Sequence, residues 1–255
     1  MLSRANRKAE NPLSVSIVVP VYNEQETIGI VLRSLLASLP NLHEIIVVDD
    51  GSTDKTAKIA QTLGAGEARI RVIQLGENQG KTAALREGFA ASTGDVVLVQ
   101  DADLEYDPKD IPVLVEPILT GKADVVYGSR FLVRRAARVL YFRHYLANQF
   151  LTFLSNLLTD MNFTDVETGY KAFRGEIIRS MIIESKRFGF EIEVTAKVAK
   201  LGCRVYEVPI SYYGRTYEEG KKIGVWDGLA ALYYILKYNL FCTLQQAFIR
   251  VPRLK

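Results

Sequence analysis

The apolar positions change period along the chain, and that change assigns the elements. Residues 15–20 (VSIVVP) are a short β-branched run of the kind buried on both faces of a sheet. Ile28, Val31, Leu32, Leu35, Leu36 and Leu39 then recur with the helical period and make an amphipathic stripe. Asn23 is the expected cap of that helix, with Glu26 three residues on as its capping-box partner. The alternation continues with strand EIIVVDD at 44–50, a helix over 54–64, a strand near 70–75 and a helix over 81–92. Strand DVVLVQD at 95–101, a helix near 109–119 and strand DVVYGS at 124–129 follow. Such alternation predicts an α/β fold whose mainly parallel sheet has right-handed crossovers and helices on both faces.

The second half has a different texture. Residues 144–159 (HYLANQFLTFLSNLLT) carry no Asp, Glu, Lys or Arg. Leu146, Phe150, Phe153, Leu154, Leu157 and Leu158 form one stripe, with Asn148, Gln149, Thr152, Ser155 and Asn156 opposite. A strand at 170–174, a helix near 190–201, a strand at 203–210 and the polar loop YGRTYEEGKK come next. From Gly228 to Ile249 only Lys237 is charged. A lysine near the middle of a membrane span costs about 3 kcal/mol, and Asn239, Gln245 and Gln246 add to that cost. Leu229, Leu232, Tyr233, Leu236, Leu240, Leu244 and Ala247 line one face, so an in-plane or protein-packed amphipathic helix is expected rather than a spanning one. The chain thus divides into a flexible tail over 1–13, one domain over 14–222 and an amphipathic, membrane-surface helical extension over 223–255.

Composition narrows the class. With 255 residues, 48% of them hydrophobic and 24% charged, the chain can bury a core, and disorder or a collagen-like fibre is excluded. Cys203 and Cys242 stand apart from each other and from any Cys/His cluster, which fits a reduced cytosolic protein. The opening MLSRANRKAENPL has no apolar run, so no secretory signal is expected. Charge sums to only +3, yet its signs are segregated: between Asp124 and Asp160 there is no acid, while Arg130, Arg134, Arg135, Arg138 and Arg143 all fall there. Five guanidiniums among Phe, Leu and Tyr suit a phosphate on an apolar molecule, and a solvated basic loop is the alternative.

Three polar clusters fall at predicted strand ends, where ligands bind in parallel α/β sheets. PVYNE (20–24) follows the first strand, DDGS (49–52) the second and the triplet Asp101–Ala102–Asp103 the fourth. Two aspartates one residue apart at the end of a buried strand offer hard oxygens to Mg²⁺ or Mn²⁺ together with substrate phosphates. Each cluster also has a plainer explanation as a turn or helix cap, but all three on one edge require three coincidences. No GxGxxG follows the first strand and no GxxxxGK[ST] occurs, which argues against a dehydrogenase-type or phosphate-loop reading.

PVYNE, VVDDGSTD, NQGKTAALREGF, DADLEYDP and GSRF, in this spacing, resemble a family 2 glycosyltransferase of the GT-A fold, and within it the dolichol-phosphate or polyprenyl-phosphate sugar synthases. The match continues through TDVETGYKAFR and GRTYEEGKK and covers about residues 14–240. The resemblance implies that Pro20, Tyr22, Glu24, Asp49 and Asp50 hold the base and ribose of a nucleotide sugar, and that Asn78 and Lys81 close over it. It implies a metal site at Asp101 and Asp103 with Glu105 as third oxygen ligand, Ala102 lying between them against the donor. Arg130 would face the acceptor phosphate, with Arg143 as its partner in preference to Arg134, Arg135 or Arg138. Relatives carry a basic R-x-x-G-x-S-K loop over the donor diphosphate. This chain has Arg215 and then Gly220, Lys221 and Lys222, a longer spacing without the serine, and Lys222 is taken as the phosphate-facing lysine. Asp165, Glu167 and Lys171 would line the sugar side, or else form a capped, ion-paired turn. A QxxRW signature and multiple membrane-spanning helices, typical of processive hydroxyl-accepting members, are lacking, so the likeness is to the soluble or peripheral subgroup.

The implied reaction is metal-dependent, inverting transfer of mannose from GDP-mannose or glucose from UDP-glucose onto a polyprenyl or dolichyl phosphate at the cytoplasmic membrane surface. Asp101, Asp103, Arg130 and Arg215 would act on the reacting groups. A phosphate acceptor is already anionic, so no general base is needed, and His43 and His144 read as structural. A GT-A enzyme with a hydroxyl acceptor is the alternative and would need Asp165 or Glu167 as base. A non-catalytic nucleotide-sugar-binding module is a further one, and no nucleic-acid partner is expected.

Overall fold

The computed structural model of the protein describes residues 13–132, 141–187, 189–214 and 225–254. The β-branched run becomes β1 (Val15–Val21), buried at every position. It lies inside a seven-stranded sheet with β2 (Leu42–Asp49), β3 (Ile70–Gln74), β4 (Val96–Val99), β5 (Val125–Ser129), β6 (Lys171–Arg174) and β7 (Val205–Pro209), in the order β3-β2-β1-β4-β6-β5-β7. The sheet is parallel except for β6, which runs antiparallel to both β4 and β5.

Alternating side chains of the central strands feed two cores, as the period-2 pleat requires. Ile17, Val19, Val96 and Leu98 pack with α1 (Ile28–Leu36) and α4 (Ile111–Leu119) on one face, through Ile28, Leu32 and Leu114. Val18, Val97 and Val99 pack on the other with Leu85 and Phe89 of α3 (Lys81–Ala91) and with Phe190 and Val194 of α7 (Phe190–Leu201). Each such aliphatic side chain contributes about 1.5–3 kcal/mol on burial. The remaining helices are α2 (Thr56–Gly66), α5 (Phe142–Thr159), α6 (Gly175–Ser180), α8 (Val225–Leu240) and α9 (Leu244–Ala247).

This order creates a switch point. The chain leaves β1 toward β2 and β3, then returns to place β4 on the other side of β1. Loops after β1 and β4 therefore part and leave a crevice at the carboxyl edge. Val21 pairs with Asp49, and Val18 with Val99, so the loops at 22–24, 50–52 and 101–103 leave the sheet on that edge together.

Two local expectations are corrected. Asn23 does not cap α1: the cap position is Thr27, and Asn23 takes a left-handed φ of 52° in the β1 loop. The segment 228–249 is not one helix, since α8 stops at Leu240 and a capping box formed by Thr243 and Gln246 starts α9. Its Leu229, Tyr233, Leu236 and Leu240 face outward, while Ala231, Ile235 and Tyr238 pack inward. Helix α5 carries its apolar stripe outward. Thr152 and Ser155 of its polar stripe are buried, while Phe142, Leu146, Phe150, Phe153 and Leu157 are exposed, Phe142 at 69% and Leu157 at 66%.

One buried carboxylate joins the far strands. Asp124, fully buried just before β5, accepts from Arg174 Nη1 of β6 at 3.1 Å. It also accepts from Arg204 Nε and Nη2, ahead of β7, at 3.0 and 2.8 Å. Burial would raise its pKa, but the hydrogen bonds from Arg204 and then Arg174 outweigh burial and hold it at about 2 instead of 3.8. A lowered carboxylate pKa stabilises the fold fully above the unfolded value and ceases to do so as pH falls through the folded one. Asp124→Asn should therefore cost about 2 kcal/mol at pH 7, and the deficit against wild type should shrink between about pH 4 and pH 2. Urea midpoints of the two proteins at pH 7 and pH 3 check this, and equal midpoints at pH 7 would contradict it.

Candidate active site

The loops after β1 and β2 are laced into one unit. The amide of Asn23 donates to Ser52 Oγ at 2.9 Å, that of Thr53 to Asn23 Oδ1 at 2.8 Å, and that of Glu24 to Thr56 Oγ1 at 2.8 Å. Pro20 is buried within β1, while Tyr22 reaches solvent and Glu24 accepts from the Thr27 hydroxyl. The two DDGS aspartates differ in use. Both oxygens of Asp50 accept backbone amides, from Gln79 and Gly80, each at 2.8 Å. Asp49 accepts from Ser52 N at 3.3 Å, and its Oδ1 is buried with no hydrogen-bond partner among the described residues. Gly51 makes the turn at φ +72°, and a Cβ there would meet the backbone of Glu77 and Asn78 at 2.8–3.0 Å. DDGS is thus the clamp on the NQGK loop, whose Asn78 is exposed.

Lys81, the first residue of α3, points at the loop after β4. Its Nζ lies 2.8 Å from Asp101 Oδ1, 3.0 Å from Oδ2 and 3.2 Å from Glu191 Oε1 on the first turn of α7. Asp101 fits there because residue 169 is glycine: a Cβ on Gly169 would stand 2.6 Å from Asp101 Oδ2. Ala102 is buried, Leu104 takes a φ of +60°, and Asp103 Oδ1 accepts the Glu105 amide at 3.2 Å. A left-handed leucine costs roughly 1–2 kcal/mol, and it turns the chain sharply between Asp103 and Glu105. Glu105 Oε2 accepts from the Tyr212 hydroxyl at 2.9 Å.

Among the described residues no three acidic, His or Cys side chains gather as a ready-made metal cage. The donor set nonetheless fits Mg²⁺ or Mn²⁺, which are commonly held by one or two carboxylates with phosphate and water oxygens completing the shell. Asp101 and Asp103 would supply those carboxylates. Glu105, expected as a third ligand, is engaged by Tyr212.

Arg130 ends the strand-β5 segment in a fixed fork. Its Nε and Nη2 donate to the two oxygens of fully buried Asp165, each at 2.7 Å, and Asn148 Nδ2 of α5 donates to the same carboxylate at 3.2 Å. The guanidinium also lies 5.1 Å from the Tyr212 ring centroid. Asp165 is consumed by this pairing, and Nη1 of Arg130 has no hydrogen bond among the described residues. Lys171 is fully buried; its Nζ donates to the carbonyls of Val166 and Thr168, which makes it a brace inside the turn. Burial, and then Glu191, pushes the Glu167 carboxyl up to about 7, and its Oε1 has no hydrogen-bond partner among the described residues. Tyr106 stacks on Tyr170 with centroids 4.7 Å apart, and its hydroxyl accepts the Gly169 amide at 2.8 Å. Arg143 is exposed on the first turn of α5. Arg134, Arg135, Arg138, Arg215, Lys221 and Lys222 lie outside the described residues.

Sequence reasoning missed Glu191, Tyr106 and Tyr212. Glu191 had a signal: it sits between Phe190 and Ile192 in a helix that is buried on nearly all sides, where an acid needs a partner.

Residues 16–181 match the family described as glycosyl transferase family 2. The undecaprenyl-phosphate mannosyltransferase of Micrococcus luteus is 32% identical over 222 residues, covering 83% of this chain and 88% of that protein. The dolichol-phosphate mannosyltransferase of Pyrococcus furiosus is 29% identical, covering 89% of this chain and 65% of that protein. Among solved structures, the Mycobacterium tuberculosis glucosyl-3-phosphoglycerate synthase in complex with Mn²⁺, UDP and glucosyl-3-phosphoglycerate matches with a TM-score of 0.67 and 25% identity, over 89% of this chain and 80% of that one.

Asp50→Ala should free the NQGK loop. A hydrogen bond to a charged group contributes about 1.5–3 kcal/mol, so exchange of the Gln79 and Gly80 amides should speed up by about tenfold or more, with the sheet amides little changed. Hydrogen-exchange mass spectrometry of the peptide spanning 77–81 reads this. Unaltered protection there would show that Asp50 does not hold the loop.

Proposed function

The chain belongs to glycosyl transferase family 2 and has its GT-A fold, and we propose that it transfers a hexose from a nucleotide sugar to the phosphate of a polyprenyl or dolichyl lipid. The observation that carries this reading is Arg130, a guanidinium anchored by Asp165 beside a helix whose apolar stripe faces outward. A phosphate needs the cation and a prenyl tail needs the apolar face. The two mannosyltransferase relatives, one named for undecaprenyl phosphate and one for dolichol phosphate, favour mannose and hence GDP-mannose as donor, with UDP-glucose as the alternative.

The base and ribose would lie across Tyr22 and the Asp49 edge, and Asp49 Oδ1, buried and unpartnered among the described residues, is the acceptor atom best placed for a ribose hydroxyl. Asp50 would act indirectly, by setting the NQGK loop. Asp101 and Asp103 would hold Mg²⁺ or Mn²⁺, which neutralises charge on the departing nucleoside diphosphate. Arg215 and Lys222 are proposed to close over the same diphosphate. Arg130 would keep Asp165 as its support and offer Nη1 to the acceptor phosphate, which holds the attacking oxygen near the anomeric carbon. That oxygen is anionic at neutral pH, so no proton has to be removed, and a single displacement inverts the anomeric centre.

Helices α5 and α8 pack on one another and expose Phe150, Phe153, Tyr233, Leu236 and Leu240. No helix among the described residues is long and apolar enough to cross a membrane. We place these faces on the cytoplasmic surface of a bilayer, where the lipid tail of the acceptor remains.

Nucleoside diphosphate release from a donor panel, with Mg²⁺ or Mn²⁺ and with or without a polyprenyl phosphate, tests the reading. Release from GDP-mannose that depends on the lipid phosphate, and falls at least about a hundredfold in Asp103→Ala, is expected. Release that ignores the lipid phosphate would contradict it and favour a hydroxyl acceptor, with Glu167 as the base.

A further inference from the structure

Lys81 meets two carboxylates at once. Its ammonium touches both oxygens of Asp101, at 2.8 and 3.0 Å, and Oε1 of Glu191 at 3.2 Å. The side chains of Lys81 and Asp101 are each 18% exposed and that of Glu191 6%, so water screens the trio weakly. Glu191 Oε2 is buried with no hydrogen-bond partner among the described residues.

Asp101 is also the carboxylate on which the divalent cation is proposed to bind, so one anion faces two cations. We propose that Lys81 stands in for the divalent cation at Asp101, and that Glu191 is the positioning residue that keeps the ammonium when the cation takes Asp101 over. This inference rests on the cation site proposed at Asp101 and Asp103. The anchors make the exchange short. The backbone of Lys81 is fixed, because Asp50 holds Gly80 and the carbonyl of Arg187 accepts from both the amide and the hydroxyl of Thr82. Glu191 is fixed in α7. The ammonium already touches both carboxylates and need only loosen from one of them.

Charge balance explains the arrangement. Without a cation, Asp101 and Glu191 would repel each other in a weakly hydrated site, and Lys81 prevents this. With the cation present, Lys81 would be repelled by it unless a second carboxylate held the ammonium. The incoming cation must therefore compete with Lys81, so it binds weakly alone and firmly only with the phosphates of the nucleotide. The donor and its cation enter together.

Electron paramagnetic resonance of free Mn²⁺, titrated with and without GDP or UDP, tests this on wild type, Lys81→Met, Glu191→Gln and the double variant. Lys81→Met should bind Mn²⁺ alone about tenfold more tightly than wild type, because the competitor is gone. Glu191→Gln should bind Mn²⁺ with nucleotide about tenfold more weakly, because Lys81 then has only Asp101 to hold. The double variant should recover from the Glu191→Gln loss. A lysine that merely braced Asp101 would give weaker Mn²⁺ binding when removed, and that result overturns the inference, as does unchanged affinity in Glu191→Gln. If wild type binds no Mn²⁺ with either nucleotide, the cation site itself is wrong and this inference falls with it. Thermal unfolding verifies each fold, and Lys81→Gln carries the same comparison should Lys81→Met not fold.

Discussion

A carboxylate removed from water must be paired or strongly hydrogen-bonded, or it destabilises the fold by several kcal/mol. The carboxyl edge of this sheet is built on that constraint. Asp50 is satisfied by two backbone amides, Asp101 by Lys81, and Asp165 by Arg130 and Asn148. Farther back, Glu193 pairs with Lys197 and accepts the amides of Glu184 and Ser185. Each pairing ties a loop to a rigid element, so the crevice is preorganised before any ligand arrives.

The same logic explains helix α5. Its polar side chains turn inward because partners wait there: Asn148 for Asp165, Thr152 for Asn148 and the Val166 amide, Asn156 for both backbone groups of Phe163. Satisfying those groups forces Phe150, Phe153 and Leu157 outward. Exposed apolar area on this scale marks a surface that meets something other than water. One helix thereby connects an outward apolar face to the carboxylate that aims Arg130, and an acceptor with a charged head and an apolar tail fits that connection.

Much of the fold was legible in the chain because local pattern and tertiary context agree there. The VSIVVP run, the Ile28–Leu39 stripe and the DVVLVQD strand are positions where burial and period point the same way. The reversal of β6 was not legible, since nothing local in KAFR encodes strand direction. Asn23 misled because Asn favours both helix caps and left-handed turns, and pairing with Ser52 and Thr53 decided between them. Within the site, the carboxylate positions were readable, but their use was not. That Asp50 holds a loop while Asp49 keeps an open oxygen depends on contacts some thirty residues away. Glu191 and Tyr212 enter only through tertiary packing, one from α7 and one from the segment after β7.

A lipid-phosphate acceptor is distinguished from a hydroxyl acceptor by the atom that receives the sugar. Phosphorus NMR of the lipid recovered after reaction with GDP-mannose reads it directly. Transfer to the phosphate should replace the phosphomonoester resonance of the polyprenyl phosphate with a phosphodiester resonance coupled to the anomeric proton of the sugar. A phosphomonoester left unchanged while nucleoside diphosphate accumulates would contradict it.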